Sequence, residues 1–73
     1  MSETIRVNGE TKPLAALHAG ATIRDLLVAE RIDPDARFVA VAVNGTVLPR
    51  RQWPSAAVAP GDDIEIVRPA PGG

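Results

Sequence analysis

Hydrophobic and polar positions alternate at both ends of the chain and shift to a helical spacing near its middle. Ile5 and Val7 alternate with Thr4 and Arg6, a half-buried strand, and Asn8-Gly9 follows at once. Both of those residues tolerate positive φ, so the pair predicts a tight hairpin. Glu10 to Leu14 reads as the short return strand, and Pro13, which cannot donate to a ladder, puts it at a sheet edge. Leu14 and Leu17 are expected to close this hairpin over the core. After Ala19, Gly20 and Ala21, the Thr22 hydroxyl and Asp25 three residues later form a capping-box pair that starts a helix at Ile23. Ile23, Leu26 and Leu27 share one face of it, and Asp33-Pro34 is expected to end it.

Phe38 to Val43 is apolar throughout and predicts a strand buried on both faces, or with its alanines on the less crowded side; Val39, Val41 and Val43 share a face. Asn44-Gly45 repeats the hairpin signal, and Thr46 to Leu48 returns until Pro49 stops it. Arg50 to Trp53 reads as one helical turn, with Trp53 partly buried as an amphipathic ring. Ala59-Pro60-Gly61-Asp62 spells a turn, and Asp63 to Val67 alternates as a last strand. One helix crossing a small mixed sheet gives each apolar face a partner, an α+β arrangement.

At 73 residues the chain holds one small domain. With 45% apolar residues, 23% charged residues and a formal net charge of -1, it has neither the composition of a disordered chain nor the basic footprint of a nucleic-acid binder. No apolar run reaches membrane-spanning length and Met1 to Val7 has no signal-like pattern, so the expected location is cytoplasmic, without membrane or nucleic-acid partners. Without cysteine there is no disulfide, cysteine-ligated zinc or side-chain thiol chemistry. His18 is the only histidine and Lys12 the only lysine. His18 and the Asp62-Asp63 pair are read as solvated surface groups, and Asn44-Gly45-Thr46 as a hairpin rather than a glycan acceptor. Arg50 and Arg51 form a small basic cluster that either docks an acidic partner or has no binding role.

The unusual stretch is the last one, Val67-Arg68-Pro69-Ala70-Pro71-Gly72-Gly73. Two terminal glycines leave a carboxylate on a slim thread without a Cβ, and Pro69 and Pro71 keep that thread extended; taken alone, the stretch reads equally as an ordinary frayed terminus. Five residues from Pro69 to Gly73 span at most about 17 Å at roughly 3.4 Å each. The division expected is a domain over 1–68 and a flexible tail over 69–73.

Ile5-Arg6-Val7-Asn8-Gly9-Glu10, Thr22-Ile23-Arg24-Asp25-Leu26-Leu27, Val41-Ala42-Val43-Asn44-Gly45 with Val47-Leu48-Pro49-Arg50 through Gln52-Trp53, Gly61-Asp62 and the closing Gly72-Gly73 together resemble the ThiS-type sulfur carrier proteins of thiazole formation in thiamine biosynthesis. These are a branch of the ubiquitin-like β-grasp fold, and the resemblance covers nearly the whole chain. It implies a carrier without enzymatic activity, cofactor or metal. Gly73 would be adenylated by an ATP-dependent, ubiquitin-activating-like enzyme and converted to a thiocarboxylate with sulfur from a cysteine desulfurase, for delivery to thiazole synthase. Gly72 would give clearance, and Arg68, Pro69, Ala70 and Pro71 would form the leash. Pro71 departs from the smaller or more flexible residue usual before the glycine pair. Alternatives are a carrier like the small subunit of molybdopterin synthase, a protein modifier that joins Gly73 to a lysine, and an inert β-grasp module. Val67, Trp53 and Arg68 are the expected docking surface.

Overall fold

The computed structural model describes residues 3–68. Its strands are β1 (Thr4–Val7), β2 (Glu10–Pro13), β3 (Ala40–Val43), β4 (Thr46–Val47) and β5 (Asp63–Val67), with the helix α1 (Ile23–Ala29) between β2 and β3. They form one mixed sheet in the order β2-β1-β5-β3-β4, a β-grasp arrangement. The last strand therefore lies in the middle, parallel to β1 and antiparallel to β3.

Local chemistry sets the punctuation. Asn8 and Gly9 turn β1 into β2 at φ 52 and 82, and Asn44 and Gly45 turn β3 into β4 at φ 52 and 85; only residues that tolerate the left-handed region make so tight a reversal. Pro60 and Gly61 occupy the centre of the turn before β5, where Asp62 donates its N–H to the Ala59 carbonyl at 3.1 Å. Thr22 caps α1 as its sequence suggests. Its Oγ1 accepts from the Asp25 N–H at 3.3 Å, and its own N–H donates to Asp25 Oδ2 at 2.8 Å.

Alternation then builds the core. Ile5, Val7, Val41, Ile64 and Ile66 cover the inner face of the sheet, and Ile23, Leu26 and Leu27 of α1 pack onto them. Leu14 and Leu17 are half-buried against the same cluster, as the hairpin reading expects. Pro13 lies in the edge strand.

Three expectations need correction. The helix stops at Ala29, before Asp33-Pro34. Arg31 takes φ 61, the Ile32 N–H bonds to the Leu27 carbonyl and the Arg31 N–H to that of Val28, a Schellman ending that brings Ile32 back onto the core. The apolar run from Phe38 follows the second of its two readings, with the alanines on the less crowded side, and it starts later than expected: β3 begins at exposed Ala40, Val39 and Val41 are buried, and Phe38 stands outside the strand, 80% exposed at φ 66. Trp53 is 2% exposed rather than partly buried. Its indole N–H finds the Leu48 carbonyl at 3.0 Å, so the ring needs no water.

Candidate functional site

The site expected from the sequence begins where β5 ends. Ile64 and Ile66 face the core, while Asp63, Glu65 and Val67 face outward. Across the outer face Val67 stands opposite Ala40, and Glu65 opposite Ala42, which in turn pairs with Val47. Val67 and Val47 are exposed, so the outer face is apolar near the end of β5. Arg6 and Asp63, which share a register position, make it charged at the other end.

Backbone bonds to both neighbours hold β5, and two asparagine side chains extend them. Parallel pairing with β1 stops at Val7↔Ile64 because β1 turns at Asn8. The Asn8 N–H still donates to the Ile64 carbonyl at 2.9 Å, and Asn8 Oδ1 accepts the Ile66 N–H at 2.7 Å. At the other end Asn44 Oδ1 accepts the Asp63 N–H at 2.9 Å, and Asn44 Nδ2 donates to Asp62 Oδ1 at 3.0 Å. The two hairpin asparagines thus grip the two ends of one strand. The last residue of β5, Val67, stays in register with Ala40 of β3, and the chain leaves the sheet from there.

Of the site residues read from the sequence, Arg68 directly follows β5 and is exposed. Pro69, Ala70, Pro71, Gly72 and Gly73 lie outside the described residues. The expected docking surface divides: Val67 and Arg68 are exposed, whereas buried Trp53 offers a partner nothing. Trp53 is an internal post instead. Arg50 stacks over it at 4.6 Å and sends its guanidinium to the carbonyls of Pro34, Ala36 and Val39. This arginine of the basic cluster therefore fastens the loop between α1 and β3, a task that suits a planar donor fork. Exposed Phe38, in that loop, was missed because an apolar run signals burial.

Several other polar groups serve the fold. Lys12 Nζ bridges both carboxylate oxygens of Glu30 at 2.9 Å, which raises its pKa above the usual lysine value. Hydrogen bonds from Thr22, backbone first and then hydroxyl, hold the Asp25 carboxyl below the usual carboxylate range, and His18 adds to this at 3.3 Å. Asp62 accepts the Ala59 N–H at 2.8 Å. Among the described residues no group of three or more histidine, aspartate or glutamate side chains could hold a metal ion, and no helix is long and apolar enough to cross a membrane.

Comparison with known proteins agrees with this geometry. The ThiS family model matches residues 5–73. No curated protein matches at a significant level. Among solved structures, the crystal structure of the thiamine biosynthesis protein (ThiS) from Geobacter metallireducens superposes with a TM-score of 0.69 at 30% sequence identity, covering 96% of this chain and 99% of that one.

Proposed function

This chain belongs to the ThiS family, and from that membership we propose that it is a sulfur carrier of thiamine biosynthesis whose reactive group is the Gly73 carboxyl. It is a carrier substrate rather than an enzyme. The observation that supports this reading is the placement of β5: a strand fixed between two neighbours leads, through exposed Arg68, into the five residues that end in Gly72-Gly73.

A free carboxylate is a poor acyl donor because its oxygen is a poor leaving group, so activation comes first. The Gly73 carboxylate attacks the α-phosphate of ATP on an activating enzyme, pyrophosphate leaves, and an acyl-adenylate forms. The terminal sulfur of a persulfide, loaded by a cysteine desulfurase, then attacks the carbonyl and expels AMP, giving an acyl disulfide. A thiol cleaves its S–S bond, becoming a disulfide itself and leaving the thiocarboxylate. Thiazole synthase takes up that sulfur. The chain's part is steric and positional. Gly73 and Gly72 have no Cβ to obstruct attack on the carbonyl, Arg68 to Pro71 form the leash, and Pro69 and Pro71 lower the entropy lost when the thread enters a narrow channel.

The test is the intact mass of the chain after incubation with ATP, the activating enzyme, cysteine and a desulfurase, beside a variant lacking Gly73. Exchange of one oxygen for sulfur in the parent alone supports the carrier. No mass change with active partners excludes it, and stable conjugates to lysines of other proteins would point to a modifier instead.

A further inference from the structure

Two unfavourable features of the loop before β3 fall on one residue. Phe38 is the chain's only phenylalanine and is 80% exposed. Its backbone stands at φ 66, in the left-handed region that glycine enters freely and a bulky side chain only at a cost. The Phe38 ring takes no part in the core, which closes around the adjacent Val39. Nor is the loop merely slack. Arg50 clamps it on both sides of Phe38, through the carbonyls of Pro34 and Ala36 before it and Val39 after it. An aromatic ring exposed on a left-handed backbone, and fastened there by Arg50, is the kind of strained position that clusters at binding sites.

Its position suggests what it serves. Phe38 lies two residues before Ala40, the register partner of Val67, so the chain carries it close to the end of β5. The five residues beyond Arg68 reach at most about 17 Å. An enzyme that acts on Gly73 must therefore bring its surface against this end of the sheet.

We propose that Phe38 is the anchor by which this chain is selected by the ATP-dependent enzyme that adenylates Gly73, and that Arg50 is the residue that positions it; the proposal rests on the carrier reading above. The adenylating enzyme is the partner to expect, because an unmodified glycine carboxylate offers no side chain to read and selection at that step falls to the folded domain. A later enzyme meets a thiocarboxylate, which it can recognise chemically. The chemistry required of the partner is an apolar pocket for a phenyl ring, beside the mouth of the tail channel, with acidic groups opposite exposed Arg37 and Arg68. A rigid aromatic side chain seated in such a pocket is the kind of contact that dominates interface energies.

The experiment is ATP–pyrophosphate exchange by the activating enzyme with the carrier concentration varied. Phe38→Gly suits the left-handed backbone, so its thermal midpoint stays equal to the parent's or rises. Its KM as carrier rises about tenfold or more while kcat changes less than about twofold, the signature of lost uniform binding. Phe38→Leu retains most of the affinity. Arg50→Ala raises KM in the parent but adds less than about twofold in the Phe38→Gly background, since both changes act through one ring. A KM for Phe38→Gly within about twofold of the parent's overturns the proposal while the carrier reading stands. Absence of exchange with the parent itself, under an enzyme proven active on another carrier, removes both.

Discussion

Ile66 donates its backbone N–H to the side-chain oxygen of Asn8 at 2.7 Å, across 58 residues of sequence. The same asparagine turns β1 into β2 at φ 52. One residue thus ends the first strand and completes the ladder of the last.

Asn8→Gly separates the two roles, since glycine keeps the left-handed backbone but removes the acceptor. The Ile66 amide, in a residue 7% exposed, would lose its partner. The expected cost is about 1–3 kcal/mol, read by chemical denaturation. Hydrogen exchange should quicken at Ile66 more than at the Val41 amide; equal change at both would show a general loss of stability and no specific role for the side chain.

Trp53→Phe removes the indole N–H and leaves the Leu48 carbonyl without its donor at 3.0 Å, in a ring position that is 2% exposed. A loss of about 1–3 kcal/mol is expected. For a domain of this size each kcal/mol lowers the thermal midpoint by about 4–8 °C, so circular dichroism melting resolves it. An unchanged midpoint would mean that the hydrogen bond contributes nothing to stability.

Asp25 sets an acid limit on the start of the helix. Its pKa is lowered in the fold by the Thr22 hydrogen bonds, so its stabilising contribution is complete above the unfolded-state value and is lost as pH falls through the folded one. Melting temperature should fall through that acid range more steeply in the parent than in Asp25→Asn, which has no charge to lose. Parallel pH profiles would contradict the capping-box account. At neutral pH, Thr22→Ala should cost about 1 kcal/mol.

Deletion of Gly73 should leave the stability of the domain within about 0.5 kcal/mol of the parent, because the core runs from Ile5 to Ile66. Sulfur loading should vanish at the same time. A marked fall in the melting temperature would instead give the terminal glycine a part in the fold.

What was legible in the sequence rests on short-range chemistry. The two Asn-Gly turns, the Thr22–Asp25 cap and the Pro60-Gly61 turn each depend on the conformational range of one or two residues and stand where they were expected. The helix end was misplaced because Arg31 does what glycine usually does, and the compensating gain, Ile32 against the core, is tertiary. The left-handed, exposed state of Phe38 was equally hidden, since the clamp on its loop comes from Arg50, farther along the chain.

By itself the sequence determined the order of turns, the helix, the alternating strands and the glycine pair at the end, because each is written in residues that are adjacent or a few apart. Only the tertiary structure decided that the last strand lies in the middle of the sheet, that two turn asparagines hold its ends, that Trp53 lies inside and that Phe38 lies outside. Those outcomes depend on which distant groups meet, and a side chain's preference for water or core is settled by the partners that packing supplies.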